Sequence, residues 1–556
     1  MEIIMPLMGS LYIGASGLQT GQNALNTTAH NLTNIDTKGY TRQQSLLSSR
    51  NYVTISKNSA SVSDQQYGLG VNYSAVRQVR DYFLDKTYRK ESGRSMFYEV
   101  STDALSEIET VLGEMNGEDF QTSLTNLWTS VQELAKDPSS SVTQGLLVQR
   151  ASEFLSRANC VYSDLSSYQD SLNLQVKDQV DKINAYGKKI MVLNDQIRKV
   201  ESAGAEHAND LRDTRNNVLD ELSELCKMSY AEDAIGNISV QIEGTDFVKG
   251  STLYEIGLDV NGTTGFYTPF WPQSAEYTIQ ADGTKKYDIS NAKVFDLNQT
   301  VSSTMDTDIG GLKAMLLARG NHRADYSDIE TNYDGISQSI IMNIQAEFDQ
   351  LIHNMSTKIN EVLAGVYNVD TGYMCDKNGS PLQLFQKITT DGYVKGTDGS
   401  GSTTWTYVNE DYRYKDTMYI ISNLKINNNL LQEASMLGFK LSDGSVDYKT
   451  AATLKAAFTE EAYCLNPNVQ KKTSFVDYYS DLVSQVANTG SVFKNIYENQ
   501  QATAEATFSA REQIVGVSSD EELSNMIKFQ NAYNASSRYI NVISEMIEHV
   551  ISTLGV

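Results

Sequence analysis

From Met8 to Ile35 the chain has no Asp, Glu, Lys or Arg. A helix with one face in water normally carries charge there, so a charge-free helix excludes ordinary surface exposure. Its Gln, Asn, Thr and Ser face is expected to be covered by other protein. Proline is rare, six in 556 residues, which excludes a loop-dominated chain and suits long helices. The cysteines Cys160, Cys226, Cys375 and Cys464 lie far apart with no CxxC pair, which excludes a zinc ribbon and a disulfide framework. No run of about 18 apolar residues occurs, so no helical membrane insertion is expected. Met1 to Leu7 lacks the basic region and cleavage pattern of a signal peptide, so export would proceed without one. Positive charge is also short: 45 Lys and Arg against 69 Asp and Glu leave a net charge of −24. That balance argues against nucleic acid or an anionic membrane as partner.

Catalytic constellations are missing too. His30, His207, His322, His353 and His549 have no HExxH spacing, and there is no GxSxG elbow or Walker loop. Gly396 to Gly401 is Gly-rich but is followed by neither a helix nor a Lys to hold phosphate, so it reads as a hairpin tip. Asp376-Lys377-Asn378-Gly379 has only part of a calcium loop and reads as a turn. No enzyme, cofactor or metal is expected.

What is present is helical periodicity. Met526, Phe529, Tyr533, Ile540, Ile543, Ile547, Val550 and Leu554 recur at three- and four-residue steps, broken only by Ser536. This is a heptad seam, the pattern of a helix packed along another helix. Ser518 to Glu522 supply an N-cap, two capping boxes and carboxylates suited to the helix dipole. Near the other end Leu11, Leu18, Leu25 and Leu32 fall seven apart. An ordinary core hairpin of the two ends is the plainer alternative, but charge absence with two matched seams favours subunit packing. Leu165, Leu172, Tyr186, Leu193 and Val200 form a further seam with Val176, Ile183, Ile190 and Ile197. Leu211, Val218, Leu222 and Leu225 continue it into an antiparallel partner, and Asp210 to Arg215 reads as a salt-bridged solvent face.

Strand patterning interrupts the helices twice. Ile238 to Ile242 alternates strictly, and Gly-rich hairpin signals run from Asp370 to Phe385 and from Asp391 to Trp405. Tyr419-Ile420-Ile421 with Leu424 and Ile426 also reads as strand. The expected fold is mainly α with β insertions: terminal helices forming a coiled coil, a long helical bundle and two inserted β-rich domains. The division is an N-terminal axial helix with extended segment over 8–75 and a bundle over 76–228, 309–364 and 471–515. Insertions cover 229–308 and 365–470, and a C-terminal axial helix covers 516–556. The second insertion leaves and re-enters the scaffold, so much of 375–460 is expected to be replaceable by a short linker.

Ala29-His30-Asn31-Leu32-Thr33-Asn34-Ile35-Asp36-Thr37-Lys38-Gly39-Tyr40-Thr41-Arg42-Gln43 resembles the N-terminal signature of the bacterial flagellar rod, hook and hook-associated proteins, with Asp36 and Lys38 where that family often has Asn and Pro. Val79 to Glu91, Leu127 to Pro138, Gly516 to Glu522 and Phe529 to Tyr533 resemble the hook-associated branch. The resemblance implies a structural protein exported to the extracellular flagellum by type III export. It implies copies of itself in a ring, a flagellar hook protein on one side, a second junction protein and the filament on the other, and an export chaperone on the C-terminal helix. Asn34, Gly39 and Tyr40 join the leucine and C-terminal seams as expected subunit-packing residues. The alternative is a surface adhesin whose Tyr-rich inserts bind glycans through Trp271 and Trp405. It ranks lower, because aromatics in β domains are more often core.

Overall fold

The computed structural model describes residues 4–56, 65–113, 120–202, 207–281, 283–364, 379–397, 399–441 and 443–554. Cys375 and the 370–378 part of the expected hairpin, including Asp376 to Asn378, lie outside them. Helix α1 (Ile4–Thr33) is followed by two antiparallel strand pairs, Gln43–Ser49 with Val71–Gln78 and Val53–Ser56 with Gln65–Tyr67. Helices α2 (Tyr82–Gly113), α3 (Phe120–Lys136), α4 (Ser141–Glu201) and α5 (Asn209–Leu225) build most of the bundle. Pro138 ends α3, and Ser140 restarts the chain as an N-cap, its side chain accepting from Val142 N at 3.3 Å. The α4 seam anticipated from Leu165 therefore begins at Ser141, and its 61 residues extend about 90 Å.

The first excursion is a four-stranded antiparallel meander, Met228–Glu232, Ile238–Ile242, Thr245–Lys249 and Thr252–Leu253, followed by two hairpins. In its second strand Ile238, Val240 and Ile242 point into the core and Gln241 into water, the period of two expected there. Helices α6 (Gly311–Arg319), α7 (Tyr326–Thr331), α8 (Tyr333–Ile336) and α9 (Ile340–Ala364) return the chain to the bundle.

The second excursion pairs Phe385–Lys387 with Leu424–Ile426 and Tyr393–Thr397 with Thr403–Tyr407, and adds α10 (Asn428–Gln432) and α11 (Tyr448–Thr459). Of the residues read from sequence as strand, Leu424 and Ile426 lie in one, whereas Ile421 opens a 3-10 turn, Ile421–Asn423. Asn423 imposes it: its Nδ2 donates to Met418 O at 3.0 Å and its Oδ1 accepts from Thr389 Oγ1 at 2.8 Å. This excursion also packs into the bundle, against its expected separateness. Leu382, Phe385, Tyr419, Ile421, Leu430, Phe439, Leu454 and Phe458 belong to the same continuous core as the bundle.

Helices α12 (Phe475–Val515) and α13 (Ser519–Leu554) close the chain, α12 lying along α2 and α13 along α1. Phe120 sits where four helices meet, its ring 5.2 Å from Phe154, 4.9 Å from Phe348 and 4.7 Å from Tyr479. Trp271 is buried against Phe247 and Trp405 is half-buried, so neither ring forms an open glycan platform. Among the described residues no helix is long and apolar enough to cross a membrane, and no His, Cys, Asp and Glu group is placed to hold a metal.

Candidate assembly interface

The two chain ends meet as an antiparallel helix pair. Gly14 of α1 lies beside Ile540, Gly17 beside Ser536 and Gly21 beside Tyr533 of α13, so numbers rise on one helix as they fall on the other. The approach is close enough to need glycine. A Cβ on Gly14 would fall 2.5 Å from Ile540 Cγ1, and one on Gly17 would fall 2.5 Å from Ser536 Oγ. Ser536 interrupts the apolar seam of α13 because a small hydroxyl stands against the Gly17 backbone.

Ile543 is buried, and Met526, Phe529, Ile540, Ile547 and Val550 are half-buried; Tyr533 is exposed at 37%. Leu554 is the last residue of α13, and its side chain lies outside the described residues. Leu11, Leu18, Leu25 and Leu32 are all half-buried, flanking the glycine face.

The polar face of α1 is covered in part by this chain itself. Ser16, Thr20, Thr28 and Asn31 are buried, and the strand pair Gln43–Ser49 with Val71–Gln78 lies against the helix. Ser16 Oγ accepts from Val71 N at 3.2 Å, and Ser45 Oγ donates to Thr27 Oγ1 at 3.1 Å. One stripe remains in the open: Tyr12, Ala15, Gln19, Gln22, Asn26 and Ala29, without a charge along it. On α13 the large apolar side chains of Ile527, Val542, Met546 and Ile551 are about half exposed.

The signature after α1 builds a joint between this pair and the bundle. Asn34 shapes the turn, its Nδ2 donating to His30 O at 3.0 Å and its Oδ1 accepting from Thr37 Oγ1 at 3.1 Å. Gly39 has φ +74°, open to glycine at little cost, and presses on Asn217 of α5. Tyr40 OH donates to Asn31 Oδ1 at 2.8 Å, and Asn31 Nδ2 donates to Gln43 O at 2.8 Å. Burial pushes the Tyr40 hydroxyl pKa up, helped by Asp210 and Asp213. Arg42 spans the two termini: it bonds Glu521 at 2.8 Å and the buried Glu522 at 2.9 Å, and its N–H donates to Val515 O at 2.9 Å.

The run Asp210 to Arg215 is salt-bridged, through Arg212 and Arg215 to Glu232, but is a solvent face only at Asp210 and Thr214. Asp213 and Arg215 are buried, because α5 is roofed by the signature loop on one side and the meander on the other. Asp213 accepts from Thr41 N at 3.1 Å and from Gln78 Nε2 at 2.7 Å. Desolvation raises its pKa to about 6, against the pull of the hydrogen bonds from Thr41 and of Arg80. Gly14, Gly17, Gly21, Asn31, Arg42 and Asp213 were therefore missed by sequence reasoning. Glycines at three- and four-residue steps within a charge-free helix were the signal for the first three. Nothing local points from Arg42 to Glu522.

Comparison with known proteins bears on the whole chain. Residues 105–375 match a family model described as the flagellar hook-associated protein FlgK helical domain. Residues 11–41 match one for the flagella basal body rod protein, and residues 513–553 one for the flagellar basal body rod FlgEFG protein C-terminal. The chain is 27% identical over 548 residues to flagellar hook-associated protein 1 of Bacillus subtilis, covering 97% of each chain. It is 23% identical to that of Escherichia coli, covering 98% of this chain and 100% of the other. The hook junction protein FlgK from Burkholderia pseudomallei has a similar fold, with a TM-score of 0.51 and 13% identity over 79% of this chain and all of that one.

Proposed function

The chain belongs to the flagellar hook-associated protein 1 family, and from that premise we propose that its paired terminal helices are the parts that pack on neighbouring copies in a ring joining hook to filament. It is a structural component of the bacterial flagellum and not an enzyme. The observation that carries the proposal is the outward stripe from Tyr12 to Ala29, which is exposed and uncharged in a chain of net charge −24. Copies repel one another wherever their acidic surfaces meet, and a neutral stripe is where they can touch without that cost. The half-buried Leu11, Leu18, Leu25 and Leu32 and the exposed flank of α13 would complete the contact, with Gly39 and Tyr40 holding the pair at its angle to the bundle.

In this reading residues 8–75 and 516–556 form the axial unit, and the bundle with its excursions faces outward. A hook protein would lie on one side of the ring, and a second junction protein and the filament on the other. The half-exposed Ile527, Val542 and Met546 would need cover before assembly, which suits an export chaperone on α13. The protein would work outside the cell.

Gln22→Glu and Ala15→Glu test the contact. Both positions are exposed, so the melting temperature of the purified monomer should stay within experimental error. Cells carrying either variant should export the protein but shed flagellin and lose motility. Normal filaments in both variants would refute the stripe as a subunit contact.

A further inference from the structure

One element of this acidic chain carries the opposite sign. Residues 37–80 hold six Lys and Arg against a single Asp, and none of the described residues among them is acidic. Arg42 is taken up by Glu521 and Glu522, and Arg80 by Asp85 at 2.9 Å. Arg50 and Arg77 remain on the strand pair Gln43–Ser49 with Val71–Gln78, with no carboxylate partner among the described residues. Arg77 is exposed, and its Nη2 donates to the neutral Gln44 Oε1 at 3.3 Å. Beside them Leu47 is 47% exposed, Tyr52 67% and Val71 37%. Exposed arginine, tyrosine and aliphatic side chains with no acid among them have the composition of a protein contact.

The complementary surface is on the bundle. From Ser95 to Gly113 α2 has no Lys or Arg, and Glu99, Asp103 and Glu107 stand four apart on one face. Like charges at that spacing destabilise a helix, a cost that no cation offsets: burial and then Asp103 push the Glu99 carboxyl above its ordinary range. Helix α12 adds Glu498 and Glu505 against one Lys494. The carboxylates of the two helices converge on one ridge. Burial and then Glu99, Asp103 and Glu505 push the Tyr497 hydroxyl of α12 up. On α4, burial and then Glu107 and Asp103 push Tyr168 up to about 12. Asp103, Glu107, Glu498 and Glu505 are exposed.

We propose that the strand pair of one copy seats on the acidic ridge of a second copy, with Arg50 and Arg77 against Asp103 and Glu107. The inference rests on the ring of copies proposed above and adds a contact that the stripe on α1 does not make. Asp103 lies about 30 Å along α2 from the Gln78 end of the strand pair, too far for Arg77 to reach within one copy. The two surfaces are different parts of the chain, so the contact is head-to-tail, the type that closes rings or builds helical stacks. Opposite charge sets the register of the two copies, and Leu47, Tyr52 and Val71 supply the apolar burial.

The test reverses charge on each surface of the full chain, and then on both. Arg50→Glu with Arg77→Glu, and Asp103→Lys with Glu107→Lys, replace the native copy in motile cells. Both paired variants should be exported, and as purified monomers both should melt within a few degrees of the parent, since no ion pair of the monomer is broken. The fraction of cells bearing filaments should fall about tenfold or more in each, because like charges then face each other across the contact. All four changes together restore opposite signs and should return filaments to within about twofold of the parent. Filaments retained by either pair, or a fourfold variant no better than the pairs, would overturn the proposal. Arg50→Gln with Arg77→Gln guards against a folding defect: it should also shed filaments, and adding Asp103→Lys with Glu107→Lys should not rescue it. Rescue there would overturn the proposal as well. Gln22→Glu and Ala15→Glu, run in parallel, keep the two readings apart. If they lose filaments while the charge pairs keep them, this contact fails and the stripe stands; the reverse pattern, with rescue by the fourfold variant, removes the stripe and leaves this contact.

Discussion

Single atoms decide the behaviour of several positions. Gly17 and Gly145 are both helical glycines, yet a Cβ at 17 would fall 2.5 Å from Ser536 Oγ, while one at 145 would meet nothing within 4 Å. Gly145→Ala should therefore stabilise the bundle by about 0.5–1 kcal/mol through backbone entropy. Gly17→Val should instead prise α13 from α1, which hydrogen exchange would register as lost amide protection along α13. Buried carboxylates make a second residue-scale case. Glu347 accepts from Asn466 Nδ2 at 2.5 Å, Asn343 Nδ2 at 3.1 Å and Gln485 Nε2 at 3.1 Å, all neutral amides, and burial raises its pKa to about 7. Asp349 accepts from Ile421 N and Tyr326 N at 2.8 and 3.0 Å, and burial raises it to about 8. Unfolded, both titrate near pH 4, so the folded state holds more protons between about pH 4 and 8. The stability these groups support is complete below about pH 4 and is lost as pH rises through 7 to 8. Glu347→Gln should flatten that fall by roughly 3 kcal/mol. Chemical denaturation of parent and variant at pH 5 and pH 8.5 measures it, and parallel slopes would show that Glu347 does not titrate in this range.

At the scale of elements, the α1–α13 pair contributes no side chain, among the described residues, to the continuous core of the bundle. Ile543→Asp replaces a side chain only 7% exposed. It should cost the pair about 2–5 kcal/mol of packing and add an unpaired charge, while the bundle melts as before. A matching fall in the bundle's own melting temperature would mean that pair and bundle unfold as one unit. Leu25→Asp, at a half-buried position, should do less to the pair and as much to assembly. The seam of α13 was legible in the sequence because apolar side chains mark it at heptad spacing. Its partner surface was not, because α1 presents glycine and a hydrophobic pattern does not register an absent side chain. The charge-free run pointed to cover by other protein; the chain's own strand pair covers part of that face, and the stripe from Tyr12 to Ala29 stays open. Arg42 and Glu522 stand 480 residues apart, and no local rule joins them. Asp213 read as a surface charge because its burial depends on Thr41 and Gln78, which fold onto it from far along the chain.

At the scale of the molecule, the nested order of the chain raises the question of what can be removed. Sequence pattern alone made the second excursion an insertion, since it leaves one long helix and re-enters before another. The structure ties it in at three levels. Phe385, Tyr419, Leu424, Leu454 and Phe458 share the bundle's core. Trp128 of α3 stacks on Phe458 of α11 with ring centres 5.5 Å apart. Asn360 of α9 donates to Phe385 O at 2.8 Å and accepts from Leu384 N at 2.9 Å. Replacing 375–460 by a linker would strip these side chains from α3, α4 and α9, and each large apolar side chain lost from a core costs about 2–5 kcal/mol. The sum exceeds the whole stability of an ordinary domain, so the deletion should give an aggregated or molten chain by gel filtration and near-ultraviolet circular dichroism. The hairpin Tyr393–Thr397 with Thr403–Tyr407 is different. Val394, Lys395, Thr403 and Thr404 are exposed, and closing a loop across their bases adds little entropy cost. Shortening that hairpin to a Gly-Ser turn should leave the melting temperature within a few degrees of the parent. If the large deletion instead melts cooperatively near the parent temperature, the excursion is an independent unit and its shared core contributes nothing to stability.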